Sequence, residues 1–149
     1  MDTSSLIIGL VLTLICALPL IYIARSKAKT KKKINHILES FSQGKYVFNT
    51  REIHFKKLYA LDETNKGFLF TDLDKEDKQA QFINLKEFNS CKIDEVNTGN
   101  NSKIMLYITS PKASKEIVLY DSDDKTGNAY WLQNMQIAKK WQTRIEKCF

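Results

Sequence analysis

Histidine and cysteine, side chains often recruited for proton transfer, nucleophilic attack and metal binding, are scarce in this 149-residue sequence, at two and three residues. Its two histidines, His36 and His54, lie far apart, and hydrolysis needs a nucleophile, a base and an orienting group within reach of one another. Neither histidine sits in a motif that supplies such partners, so both are read as surface or interfacial side chains. The acidic run Asp121, Asp123 and Asp124 approaches a calcium loop. However, Lys125 occupies the third ligand position, Gly127 comes one residue late and Leu132 stands where a bidentate Glu is required. A solvated turn is the expectation there. Cys16, Cys91 and Cys148 show no CxxC spacing and no neighbouring His, which predicts free thiols suited to a reducing cytosol. Asn100-Asn101-Ser102 matches a glycosylation acceptor by sequence alone, on a loop expected to be cytoplasmic. No Gly-rich phosphate loop occurs. No catalytic, cofactor-binding or metal-ligating residue is therefore assigned, and the chain is read as not an enzyme.

The one concentrated chemical feature is positive charge. The formal net charge is +6, yet its distribution decides what it means, because an electrostatic footprint must lie on the domain that binds. Residues 25–57 hold ten Lys or Arg against two Glu, while residues 58–149 hold thirteen against fourteen acids. Arg144 is the only arginine in that second stretch. Nucleic acid is accordingly not expected as a partner, since counterion release needs many cationic contacts on the folded part. The core of the basic segment is Arg25, Lys27, Lys29, Lys31, Lys32 and Lys33.

What precedes these residues explains them. From Leu6 to Ala24 the sequence LIIGLVLTLICALPLIYIA carries no charge, and about 19 residues at about 1.5 Å each just cross a hydrocarbon core of about 30 Å. Gly9 and Pro19 are tolerable in such a helix, and Tyr22 sits where an interfacial ring belongs. A cleaved signal peptide would carry a positive front end and a small-residue cleavage site, whereas MDTSS has no Lys or Arg. A lipoprotein reading of Cys16 is disfavoured by Ile15 before it. The positive-inside bias then predicts a single pass through the cell inner (plasma) membrane, with residues 1–5 outside and the C-terminal domain cytoplasmic. The six basic residues act as the topology flank, and anionic lipid headgroups are a further possible partner for them. Ile34, Ile37, Leu38 and Phe41 recur at helical spacing before Gly44, so a short amphipathic helix is expected within residues 25–44, with self-association through it or the span left open.

From Lys45 the pattern changes to short β-prone runs divided by turn residues, which marks a domain over residues 45–149. Strands are expected at Lys57–Asp62, Gly67–Asp72, Gln79–Leu85, Ser90–Asn97, Lys103–Thr109 and Lys115–Tyr120. A possible earlier strand lies at Tyr46–Phe48 or Ile53–Phe55. Ile104, Leu106 and Ile108 share one face with Ile117 and Leu119 beside them, giving a sheet with a core side. After a polar stretch ending in the candidate N-cap Asn128, the tail AYWLQNMQIAKKWQTRIEKCF reads as one amphipathic helix of about 20 residues. Its stripe of Trp131, Met135, Ala138, Trp141, Ile145 and Cys148 is expected to be buried.

The hairpin YALDETNKGFLF, the run FINLKEFNSCKIDEVN, the paired strands IMLYITS and KEIVLY, and the helix holding Trp131 and Trp141 resemble small membrane-anchored bacterial proteins of the PH-like (pleckstrin-homology-type) family. The resemblance implies an antiparallel barrel or sandwich of 6–7 strands closed by a C-terminal helix, acting as a binding or scaffolding module. One departure matters: lipid-binding members place several Lys and Arg around the first hairpin, where this chain has Lys57 and Lys66 beside Asp62 and Glu63. Expected partners are thus the lipid bilayer and a protein or anionic headgroups. Two rivals stand beside this reading: an anchored envelope protein with its β domain outside, and an enzyme depending on His54 or Asp121.

Overall fold

The computed structural model describes residues 3–75, 79–98, 101–122 and 130–149, and the chain divides into two compact units, Met1–Ser40 and Phe41–Phe149. Helix α1 (Thr3–Ser42) is 40 residues long, or about 60 Å. It contains a window of mean hydropathy 1.7, none of it buried, long and apolar enough to cross a membrane. The separate amphipathic helix expected after the basic run is instead the continuation of α1. No Gly or Pro stands between Pro19 and Gly44, and Lys, Arg and Ala are good helix formers, so nothing in that stretch breaks the hydrogen-bond ladder. The helix ends where Gln43 and Gly44 both turn left-handed, with φ of 42° and 71°. The N–H groups of Lys45 and Tyr46 then both donate to the Ser42 carbonyl, at 2.7 and 3.0 Å.

The described residues of the second unit hold seven strands: β1 (Thr50–His54), β2 (Lys57–Asp62), β3 (Gly67–Asp72), β4 (Gln81–Asn84), β5 (Ser90–Thr98), β6 (Asn101–Thr109) and β7 (Ser114–Asp121). They form two antiparallel sheets, β1-β2-β3-β4 and β5-β6-β7. No strand pairing among the described residues closes these sheets into a barrel. A 3-10 turn, Leu85–Glu87, links the sheets, with Asn84 as its N-cap. Of the two alternatives for an earlier strand, residues 46–48 belong to no strand, whereas Ile53–Phe55 overlaps β1, which begins earlier, at Thr50, and ends at His54. Its pattern is weak because Arg51, Glu52 and His54 are polar.

Two connections depart from what their residue types suggest. The β1–β2 hairpin closes on the pair His54–Lys57, so its loop is the two residues Phe55 and Lys56, at φ of 44° and 62°. Two-residue hairpins of this hand favour Asn-Gly, because any Cβ is crowded there. In the β2–β3 turn, Lys66 takes the left-handed position (φ 59°) rather than Gly67. Gly67 is needed for space: a Cβ on it would lie 2.6 Å from Cδ1 of Tyr46.

The core lies between the sheets. Tyr59, Leu61, Phe68 and Phe70 from the first sheet meet Ile104, Leu106, Ile108, Ile117 and Leu119 from the second. Helix α2 (Trp131–Glu146) completes it with Met135, Ala138, Trp141 and Ile145, and Cys148 follows. That is the stripe expected from spacing, with Trp131 only partly buried. Asn128 lies outside the described residues, and Tyr130 precedes the helix without a side-chain cap bond. Trp141 is fully buried, 5.3 Å from the Tyr59 ring and 5.8 Å from Phe68. On the opposite side of the first sheet, Phe41, Tyr46 and Phe48 gather on Phe82 with centroid separations of 6.2, 4.7 and 6.5 Å.

Candidate functional site: a helix collar and a cleft between sheet edges

The six sequence-predicted residues Arg25, Lys27, Lys29, Lys31, Lys32 and Lys33 all lie on α1, directly behind its apolar stretch. All are exposed except Lys33, which is half-buried. At 100° of turn per residue they are distributed around the axis rather than along one face. They make a collar, about 12 Å tall, instead of a stripe.

The remaining candidates fall at separate places. His36 is exposed on α1, and His54 ends β1. The Nε2 of His54 is buried without a hydrogen-bond partner among the described residues, and its ring packs edge-on against Phe55 at 4.4 Å. Burial lowers its pKa, opposed by Glu52 and assisted by Lys57 and Lys140. Asp121 ends β7 in an ion pair with Lys103 at 2.8 Å, while Asp123 and Asp124 lie outside the described residues. Among the described residues no group of three or more His, Cys, Asp or Glu is placed to hold a metal ion. All three cysteines are free, with Cys91 and Cys148 buried. Burial pushes the Cys91 thiol up to about 12 and raises Cys148 as well. Ser102 of the apparent glycosylation triplet is buried in β6, and its N–H donates to Ser122 Oγ at 2.7 Å.

Two features invisible to sequence spacing give the second unit its shape. The first is Glu52 on β1. Its carboxylate accepts from Trp141 Nε1 at 3.2 Å and from Lys140 Nζ at 2.9 Å, with Arg144 at 3.9 Å. Gln142 Nε2 meanwhile donates to the Cys91 carbonyl at 2.9 Å. Helix α2 therefore bridges β1 and β5, one edge strand from each sheet.

The second feature is the opposite seam, between the other two edges. A cleft of about 880 Å³ opens there, bordered by residues 79–81 at the start of β4 and by Glu116, Val118 and Asp121 of β7. Phe70, Val118, Lys57, Asp72 and Lys75 are also among its lining residues. Strand β7 carries a bulge beside it. Ile104 pairs with Tyr120 and Met105 with Val118, leaving Leu119 as the inserted residue. The ladder thus misses the Leu119 carbonyl, and the ammonium of Lys57, reaching across from the first sheet, donates to it. Burial lowers the pKa of Lys57, partly offset by Asp72 and Asp121.

Comparison with protein families, curated proteins and solved structures found no match to this chain.

Proposed function

We propose that this chain is a non-enzymatic binding or scaffolding module tethered to the cytoplasmic face of the plasma membrane, with a short N-terminal stretch outside. The carrying observation is the exposed apolar stretch of α1 with six basic residues directly behind it on the same unbroken helix. An all-round collar suits this position, since every long cationic side chain at a headgroup boundary finds water or phosphate whichever way it points. A PH-like assignment of the second unit is supported by seven antiparallel strands followed by a helix whose Trp141 enters the core. The near balance of charge in residues 58–149 favours a protein partner for the domain over a headgroup.

The test is labelling of a Ser114→Cys variant by a membrane-impermeant maleimide. Ser114 is exposed, whereas the native Cys91 and Cys148 are buried with raised thiol pKa values and react slowly. Labelling only after permeabilisation is expected. Labelling in intact cells would place the domain outside and favour the envelope alternative, and recovery of the chain in an alkaline-extracted supernatant would end the tether reading.

A further inference from the structure

We infer that the basic collar of α1 gathers anionic phospholipids into a surrounding annulus that selects headgroup charge and is blind to headgroup identity. This rests on the reading of α1 as a membrane span and names the lipid chemistry that its flank takes. Five of the collar's cations, Arg25, Lys27, Lys29, Lys31 and Lys32, are exposed, and among the described residues none of the five is in an ion pair. Between Asp2 and Glu39 the sequence has no acid at all. The helix therefore holds a block of positive charge that its own side chains do not offset. Such a block beside a bilayer draws in the anions of that surface.

Reach puts all five on one leaflet. With the charge-free stretch filling the hydrocarbon core, Arg25 stands at its boundary. The headgroup layer adds about 5–7 Å on each side, and Lys32 lies about 10 Å along the axis from Arg25. Long cationic side chains bend back towards the interface, and the surface field extends about 8 Å further at physiological ionic strength. Direction around the axis then decides the kind of binding. Arg25, Lys29 and Lys32 fall within about 60° of one another, and Lys27 and Lys31 within about 40° on the far side of the helix, so lipids are drawn to both sides. A site for one particular headgroup needs a concavity on which donors converge. On a convex rod these side chains diverge instead, and four of the five are Lys, mobile point charges without the planar fork that grips a phosphate in one geometry. Charge is what remains to be selected.

The experiment reconstitutes the purified full chain in phosphatidylcholine vesicles with traces of phosphatidylcholine, phosphatidylglycerol or phosphatidylserine spin-labelled on the acyl chain. Electron paramagnetic resonance reads the fraction of each lipid immobilised against the protein. Phosphatidylglycerol and phosphatidylserine, both singly anionic, should each enter the immobilised shell with about threefold or greater preference over phosphatidylcholine and differ from each other by less than about twofold. The preference should vanish in about 1 M salt, where the Debye length is about 3 Å. Lys27→Gln with Lys31→Gln, and Arg25→Gln with Lys29→Gln and Lys32→Gln, should each leave part of the preference, and all five changes together should abolish it. A smaller preference, a larger gap between the two anionic lipids, insensitivity to salt, or complete loss on changing one side alone would overturn the proposal. Salt acts on the unaltered chain, so that arm holds even where a variant fails to insert. Failure of the tether reading looks different: no immobilised shell then forms with any lipid, phosphatidylcholine included, whereas a shell without charge preference refutes the annulus and leaves the tether standing.

Discussion

Asp62 ties two separate pieces of chain to one carboxylate. It is buried at the end of β2, and it accepts from Val47 N–H at 2.7 Å, Asn65 N–H at 2.9 Å and Asn65 Nδ2 at 2.8 Å. Burial alone would raise its pKa, but the hydrogen bonds from Asn65, Val47 and Thr64 outweigh this and hold it below the usual value. A depressed folded pKa adds stability above the ordinary carboxylate range, and that contribution is lost as pH falls through the lowered value. Asp62→Asn is therefore expected to cost about 1–3 kcal/mol at neutral pH and to flatten the acid limb of a urea-unfolding series below about pH 4. Gly67 sets a second single-residue demand. Adding a methyl there drives into the Tyr46 ring, so Gly67→Ala should lower the unfolding midpoint by the equivalent of about 1–3 kcal/mol. Beside Asn65 and Lys66, Gly67 has the residue type expected at a left-handed turn position. The left-handed position is Lys66, and the true constraint comes from a ring 21 positions away, a distance over which local patterns carry no signal.

At the scale of elements, legibility followed the strength of the hydrophobic pattern. Strands β2 and β3 have the bounds that alternation and turn residues predicted, and the buried stripe of α2 follows from its helical spacing. Strand β1 was blurred because its polar residues give no alternation. The α2 contact that uses it, Glu52 to Trp141, joins positions 89 apart. Replacing Glu52 with Ala leaves a fully buried indole N–H without its acceptor and should cost about 1–3 kcal/mol, read by Trp fluorescence during unfolding. Lys140→Ala, which removes only a half-exposed ion-pair partner, should cost less than about 1 kcal/mol. The β1–β2 loop offers the opposite sign. Phe55 and Lys56 both hold a left-handed backbone, which costs about 1–2 kcal/mol for each non-glycine residue. The double change Phe55→Asn with Lys56→Gly should raise the thermal midpoint of the full chain in detergent. A lowered midpoint would mean that the Phe55 contact with Tyr130, at 4.9 Å, stabilises the fold by more than the strain costs.

For the whole molecule, the partition of charge was the most legible property, because it depends on composition by segment rather than on contacts. The greasy stretch, the basic bank and the nearly neutral remainder can all be counted from the sequence. Seam and cleft could not be read this way, since the lining brings together residues of β2, β3, β4 and β7 that lie far apart in the sequence. The continuity of α1 was also hidden, because a change from apolar to basic composition suggests a joint where the backbone has none.

That missing joint has a consequence for digestion. Trypsin finds six cleavage points between positions 25 and 33, and on composition this should be the first place cut. Proteases need several residues of extended backbone, so each of these bonds is protected until a stretch of helix unwinds. Limited trypsinolysis of the detergent-purified chain, followed by mass spectrometry, should therefore find the Lys31-Lys32-Lys33 triplet cleaved more slowly than the same sequence in a synthetic peptide. Equal rates would mean that the rod is frayed there.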